Sequence, residues 1–254
     1  MFNKREYQNR EWLYKKYWGE ILSEIKIAKL CKTTRRAIRY WMDKFEIKRR
    51  SYSEVNHLRQ ANHCNLSKEA IEWFNGESLG DGCFCSQSSY SARFVYGSKY
   101  EKYAEYVSNK LAFFGIKRSG KIYKQYHKNS DCSDYYYASC FYVELLPVYK
   151  KWYPNGKKIV PRDIELTPLT CRQWYIGDGC LKKPKKQKPH IKLATCGFSI
   201  PDVEWLVKKL INLGFKATRQ SFDNVIHISS YSTKTFLDYI GKCPVKCYQY
   251  KWEH

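Results

Sequence analysis

The chain has 254 residues, of which 46 are Lys or Arg and 24 are Asp or Glu, so its formal net charge at pH 7 is +22. Its 43% apolar and 17% aromatic content excludes a disordered polycation and predicts a globular protein. The charge favours nucleic acid over an anionic membrane surface as partner. Apolar runs are too short for a membrane span, and the N-terminus lacks the apolar segment of a secretory signal. We therefore expect an intracellular protein, in the cytoplasm or an organelle matrix.

The first 62 residues are predicted to form a separate helical domain. Residues 1–60 carry 16 basic and 7 acidic side chains, a net charge of +9. Ser23 is a good N-cap for one helix, and a second is expected to run from Thr34 to residue 45. The second helix places Arg35, Arg36 and Arg39 on the side opposite its apolar residues. This pattern is typical of a helix-turn-helix DNA-binding domain, and a helical bundle with a merely solvated basic face is the alternative.

Two later stretches of the sequence repeat one frame. Residues 67–84 and 167–181 each start with a helix-capping residue, continue as a largely apolar helix, and end in Gly-Asp-Gly-Cys followed by an apolar residue. The repeated aspartates, Asp81 and Asp178, lie 97 residues apart. A turn between helix and strand explains one such motif well, but it explains a matched pair poorly.

The elements predicted after the two copies also match. The first copy is followed by strands at 83–88 and 92–96, a helix at 100–114, strands at 121–128 and 135–142, and a helix ending near 152. The second is followed by strands at 180–182 and 190–196, a helix at 201–213, strands at 216–222 and 225–229, and a helix at 233–240. The sequence thus predicts an α+β fold with two pseudo-symmetric αββαββα halves, 63–160 and 161–254.

Basic and aromatic residues recur on one face of the predicted strands, and that face is expected to bind a ligand. In the first half these residues include Lys121, Tyr123 and Gln125. The middle helices end at Gly115 and Gly214. Aligning the halves on these glycines pairs Arg93 with Lys192, and both are candidate DNA contacts. The lysine-rich run at 182–188 is expected to contact phosphates.

The two frames, residues 74–82 and 171–179, resemble the signature helices of a single-chain LAGLIDADG homing endonuclease, and the resemblance covers roughly residues 66–254. The N-terminal segment resembles a DNA-binding module that some intron-encoded members carry. The resemblance implies a β-sheet saddle over the DNA major groove, with the signature helices packed along its axis. It also implies a monomer that hydrolyses both strands of a long asymmetric target with Mg²⁺, for which Mn²⁺ can substitute.

On this resemblance Asp81 and Asp178 are the catalytic and metal-binding residues, and the carbonyls of Gly80 and Gly177 are further metal ligands. The donor set makes chemical sense, because Mg²⁺ prefers carboxylate and carbonyl oxygens. A bound divalent ion stabilises charge on a phosphoryl group and lowers the pKa of an attacking water.

The same residues are expected at the interface between the signature helices. Gly76 and Gly80 lie on one face of the first helix, where small residues allow close approach. The second helix keeps Gly177 but has Gln173 where the family usually has a small residue, so close packing one turn above the site does not follow from the family pattern.

Three functions are compatible with these features. The first is a site-specific DNA endonuclease, the second is an intron RNA maturase on the same scaffold, and the third is a DNA-binding regulator without cleavage. The two aspartates argue against the regulator, because a protein that only binds DNA has no use for paired carboxylates facing phosphates. Intron RNA stays open as a second partner.

Overall fold

The computed structural model describes residues 6–52, 54–55, 61–126, 133–186 and 188–253. The chain divides into two compact units between residues 59 and 60, and each unit has its own hydrophobic core. Within the described part of the chain, no helix is both long enough and apolar enough to cross a membrane.

The N-terminal unit is helical. It contains α1 (Arg10–Tyr14), which continues into a π-helical turn (Lys15–Gly19), then α2 (Glu24–Leu30) and α3 (Arg35–Lys44). The predicted cap at Ser23 is confirmed, and Thr34, predicted as the start of the second helix, is its N-cap: the hydroxyls of Ser23 and Thr34 each accept a hydrogen bond of 3.2 Å from a backbone N–H of the first turn. The core of this unit consists mainly of apolar side chains from α1, α2 and α3, among them Leu13, Ile27, Ile38 and Met42.

The second unit repeats one order of elements, and this confirms the predicted α+β fold with two αββαββα halves. The first half consists of α4 (Lys68–Leu79), β1 (Cys83–Cys85), β2 (Arg93–Ser98), α5 (Glu101–Phe113), β3 (Tyr123–Tyr126), β4 (Ser133–Ala138) and α6 (Leu145–Trp152). The second half consists of α7 (Pro168–Asp178), β5 (Gly179–Lys182), β6 (His190–Leu193), α8 (Ile200–Asn212), β7 (Ala217–Arg219), β8 (Ile226–Ile228) and α9 (Ser230–Ile240). A 3₁₀ segment, Lys246–Lys251, follows and was not predicted.

Each half forms a four-stranded antiparallel sheet, with the strand orders β1-β2-β4-β3 and β5-β6-β8-β7. Most observed strands are shorter than predicted, and the predicted strand residues 127 and 128 lie outside the described part of the chain. One face of each sheet packs on the shared core. The core face of β6 and β8 consists of Ile191, Leu193, Ile226 and Ile228, all fully buried.

The strand register corrects the proposed equivalence of Arg93 and Lys192. Lys192 pairs with Cys180, and the matching cysteine of the first half, Cys83, pairs with Val95. The structural counterpart of Lys192 is therefore Val95. The alignment was wrong because the interval from the second strand to the glycine that ends the middle helix is two residues longer in the second half.

The two signature helices, α4 and α7, pack closely along their length. A Cβ on Gly76 would lie 2.4 Å from the Thr170 carbonyl oxygen and 2.7 Å from the Gln173 Cβ, much closer than nonbonded carbon and oxygen atoms approach. The bulk of Gln173 is thus accommodated by the missing side chain of Gly76, and the helices stay close one turn above their C-terminal ends.

Candidate DNA cleavage site

The C-terminal ends of α4 and α7 touch through their backbones. A Cβ on Gly177 would lie 3.1 Å from the Gly80 Cα and 3.1 Å from the Asp81 backbone nitrogen. Side chains larger than hydrogen would separate the helices at this point. Because Asp81 and Asp178 each follow one of these glycines, the contact brings both aspartates to the same position between the two halves.

Asp81 is exposed and Asp178 is half-buried, and the protein around both carboxyl groups disfavours their charged form. Partial desolvation raises the pKa of Asp81, and the charges of Lys251 and Lys158 oppose that effect. Burial, followed by the charge of Asp81, raises the pKa of Asp178 to about 7. Two carboxylates this close do not both ionise easily unless a cation compensates them.

Each aspartate has a lysine beside it that the sequence analysis missed. The Lys158 ammonium donates to the carbonyls of Gly82 (3.0 Å) and Gly80 (3.4 Å). The Lys251 ammonium donates to the carbonyls of Ile176 (2.6 Å) and Gly177 (3.2 Å) at the end of the other signature helix. The negative end of a helix dipole favours a cation at these positions. Burial nevertheless lowers the pKa of both lysines, that of Lys251 to about 8.

These lysines lie outside the repeated frame, which is why comparison of the two copies did not find them. Lys158 lies in the connection after α6, and Lys251 lies in the 3₁₀ segment after α9. Each therefore belongs to the segment that follows the last helix of its half and returns to the signature helix of that half. The only signal in the sequence is a lysine downstream of each last helix, in a chain that has many lysines.

The donor atoms at this position suit a hard divalent cation. Two carboxylates and several carbonyl oxygens converge there, a set that Mg²⁺ accepts. In the described residues, this position included, no group of three or more His, Cys, Asp or Glu side chains could hold a metal ion, so a metal here would depend on the two carboxylates together with carbonyl oxygens. The carbonyls of Gly80 and Gly177, expected as metal ligands, accept hydrogen bonds from the lysines here. Since a carbonyl oxygen has two lone pairs, their use by a metal stays a prediction.

Comparison with known proteins agrees with this geometry. A family model described as LAGLIDADG DNA endonuclease family matches residues 72–236. The chain belongs to the LAGLIDADG DNA endonuclease family. It is 28% identical over 200 residues to the uncharacterized protein MJ1098 of Methanocaldococcus jannaschii, across 78% of this chain and 76% of that protein. It is also 26% identical over 171 residues to the cytochrome b mRNA maturase bI2 of Debaryomyces hansenii, across 60% of each chain.

A solved structure shows the same fold. The homing endonuclease I-WcaI, bound to its DNA recognition sequence, superposes with a TM-score of 0.64 at 18% sequence identity, over 83% of this chain and 96% of that one. The likeness confirms the LAGLIDADG fold predicted from the paired motifs.

Above the aspartates, the LAGLIDADG helices enclose a polar network. The Tyr103 hydroxyl lies 2.7 Å from Glu77 Oε1 and 3.1 Å from Gln173 Oε1, and the Gln173 amide donates to the Tyr106 oxygen at 3.1 Å. One hydroxyl hydrogen cannot serve two acceptors, so a protonated Glu77 that donates to the tyrosine oxygen completes the network. Burial is consistent with this arrangement, because it raises the pKa of Glu77 to about 8.

The face of each LAGLIDADG sheet that points away from the core carries half of the predicted DNA contacts. In the first sheet, the register places Arg93, Tyr123 and Gln125 on this face, where the Tyr123 and Tyr136 rings lie 5.2 Å apart. Lys121 is exposed but precedes β3, so it lies outside the sheet. In the second sheet the same face carries Cys180, Lys182, His190, Lys192, Thr218 and His227. We call these two surfaces the first and second open faces.

The arginine face expected on α3 is only partly available. Arg35 and Arg39 both bind Glu24 of α2 through their Nε atoms, at 2.6 and 2.8 Å. Burial would raise the pKa of Glu24, but the hydrogen bonds from the two arginines outweigh it and lower that pKa. Two of the three predicted DNA contacts therefore also stabilise the packing of α2 on α3, whereas Arg36 is exposed.

Proposed function

We propose that this LAGLIDADG protein is a site-specific DNA endonuclease that hydrolyses both strands of a long asymmetric duplex with Mg²⁺, and that Mn²⁺ can substitute. The observation that supports this most strongly is the pair of touching helix ends, each with one aspartate and one lysine. The match to the endonuclease family model supports this proposal.

In this proposal Asp81 and Asp178 hold the metal ion between the two halves. A bound Mg²⁺ neutralises charge on the phosphoryl oxygens and lowers the pKa of the attacking water. Lys158 and Lys251 direct ammonium groups towards the charge that develops at the scissile phosphates. With its pKa lowered to about 8, Lys251 can also exchange a proton near neutral pH, as a general acid or base requires.

The two open faces bind the two half-sites. Residues 63–160 and 161–254 each contribute one face, and one chain therefore suffices for one duplex. The faces carry different side chains at equivalent positions, so each reads a different sequence and the whole target is asymmetric. Residues 1–62 add a further DNA contact, in which Arg36 of α3 touches the duplex.

The test is incubation of the purified chain with a plasmid that carries the joined exons flanking its reading frame. We expect linear product with Mg²⁺ or Mn²⁺ and none with EDTA. A variant with both Asp81→Asn and Asp178→Asn should bind the same plasmid without cutting it. Cleavage in EDTA, or by this double variant, would overturn the proposal.

Binding of intron RNA is the second candidate function, and the similarity to the yeast maturase supports it. The same double aspartate variant separates the two activities. If the chain is a maturase, the variant should still promote splicing of the precursor RNA, because RNA binding does not need the metal-binding carboxylates. If splicing is unchanged when the protein is left out, the maturase function is wrong.

A further inference from the structure

The second open face carries two neighbouring imidazoles. His190 pairs across the strands with Lys182, and His227 pairs with Lys192 and Thr218. Alternation along β6 and β8 points both histidines away from the core, to the same side as Lys192. Their ring centroids lie 4.7 Å apart, so the two rings act on a ligand as one unit.

The surroundings of this histidine pair are cationic. Lys182 and Lys192 lie on the second open face together with the two histidines. Cys180, which pairs with Lys192, and Thr218, which pairs with His227, lie on the same face. None of the residues of β5, β6, β7 and β8 is acidic. Burial, then the charges of His190 and Lys192, lowers the pKa of His227. In the free protein His227 therefore resists protonation, and an anionic ligand on the same face would reverse that.

We infer that His190 and His227 recognise guanines in the half-site bound by residues 161–254, and that they take up protons when they do so. This inference rests on the proposed function. A protonated imidazole donates from both of its nitrogens, and guanine presents two acceptors, N7 and O6, in the major groove. The 4.7 Å separation of the rings lies nearer the roughly 3.4 Å rise of one base step than the rise of two, so the pair reaches adjacent bases.

The first half has no equivalent of this pair. By register, the counterpart of His190 is Arg93, which faces Cys85 as His190 faces Lys182. The counterpart of His227 is Ala138, because Ala138 pairs with the counterpart of Lys192. Arginine stays charged at all accessible pH values. At the positions in register with the histidine pair, the first sheet therefore offers no imidazole that could take up a proton.

The experiment is selection of bound duplexes from a randomised library by the full chain in EDTA, at about pH 6 and about pH 8, on either side of the ordinary imidazole pKa of about 6.5. We expect guanines to be enriched in one half-site at the lower pH and to fade at the higher pH. Affinity for the selected duplex should fall about tenfold or more across this interval, since each coupled proton contributes up to about tenfold per pH unit.

The double variant His190→Gln, His227→Gln should lose the guanine preference. It should also lose the part of the pH dependence of DNA affinity that the two imidazoles contribute. Asp178 and Glu77 titrate in the same range, but the variant retains them, so the difference from wild type isolates the imidazoles. Arg93→Gln is the matched variant, and it should change the preference of the other half-site while keeping the pH effect. Thermal melting checks that both variants fold.

The outcomes separate this inference from the proposed function. If the wild type selects no sequence at either pH, the proposed DNA recognition itself fails. If the wild type selects a target, but the double histidine variant shows the same guanine preference and the same change of affinity with pH, the histidine pair does not read DNA and the inference is overturned.

Discussion

The two halves of the LAGLIDADG unit share one backbone plan but not one surface. Their signature helices, sheet orders and strand registers coincide, and each half brings one aspartate and one lysine to the helix ends. On the open faces, by contrast, Arg93, Val95 and Ala138 of the first half correspond to His190, Lys192 and His227 of the second. In the proposed function, symmetry is kept where the same chemistry is applied to two strands, and it is lost where two different sequences are read.

The polar network above the site is also asymmetric. Glu77 of α4 is fully buried and hydrogen-bonded by Tyr103. The corresponding residue of α7, three before Gly177, is Trp174, whose side chain is buried in the core. The interface therefore mixes one acid from the first half with one amide, Gln173, from the second. A unit that had duplicated without change would place two acids or two amides across this axis.

The largest effects are expected at the two helix ends, where the halves are symmetric and each contributes one lysine. Lys158→Met and Lys251→Met should each lower cleavage by about 100-fold or more, the scale expected for one group that stabilises charge in the transition state. DNA affinity should change only a few-fold. Single-turnover cleavage rates and binding titrations measure the two effects.

Lys208→Met is the matched control for both variants, because Lys208 is an exposed lysine on α8, and its rate should stay near wild type. If only one of Lys158 and Lys251 affected the rate, the halves would contribute unequally to the chemistry.

The helix contact can be broken at Gly76. Gly76→Ala introduces a Cβ where the Thr170 carbonyl and Gln173 stand within 2.7 Å, and the free energy of unfolding should fall by about 1–3 kcal/mol. Gly97→Ala is the control, because a Cβ there meets nothing within 4 Å and should change stability by less than about 1 kcal/mol. Urea titration measures both, and equal stability of the two variants would contradict the close packing.

The asymmetric network predicts a particular dependence of stability on pH. Because the pKa of folded Glu77 is raised to about 8 above its ordinary value, the folded state binds this proton more tightly than the unfolded state does. The contribution of this bound proton to the free energy of unfolding is complete below about pH 4 and is lost as the pH rises towards 8. Glu77→Gln should therefore unfold at a higher temperature than wild type at pH 8, with a smaller difference near pH 5.

The measurement is thermal melting without metal across this pH range. Asp178, with a pKa raised to about 7, acts in the same direction, so Asp178→Asn provides the comparison on the other helix. A constant difference between Glu77→Gln and wild type at all pH values would show that Glu77 does not titrate in the folded protein.

The smallest expected effects distinguish the arginines of α3. Arg36→Ala should reduce the slope of log affinity against log salt by about 1, the value for one phosphate contact. Arg35→Ala should lower the stability of the N-terminal unit as well, because it removes one of the two partners of Glu24. Affinities across a salt series, with melting curves for each variant, test both. An unchanged slope for Arg36→Ala would leave α3 without a DNA contact.

Much of this fold follows from the sequence because the repeat provides an internal comparison. The caps predicted at Ser23, Ser67 and Thr167 were all correct, since a cap depends on a few neighbouring residues. The predicted equivalence of Arg93 and Lys192 was wrong, because the chain from Val95 of β2 to the start of α5 is two residues shorter than the equivalent chain from Lys192 of β6 to the start of α8. A difference of this kind leaves no trace in the hydrophobic pattern.

The rest depends on contacts that are distant in the sequence. Lys158 and Lys251 reach signature helices more than 70 residues earlier, and no local pattern marks them. The pairing of Arg35 and Arg39 with Glu24 likewise requires the crossing of α2 and α3 to be known. Residue type and spacing identified the aspartates, whereas the cations that set their charge state required the folded chain.

The most direct test of the shared site compares cleavage and binding in Asp81→Asn and in Asp178→Asn, each alone, on a supercoiled plasmid that carries the target. In Mg²⁺ both variants should bind within a few-fold of the wild type and produce no linear DNA, because an amide keeps the shape of the side chain but loses its charge. Full linearisation by either variant would show that its half does not contribute a required carboxylate, and would contradict the account.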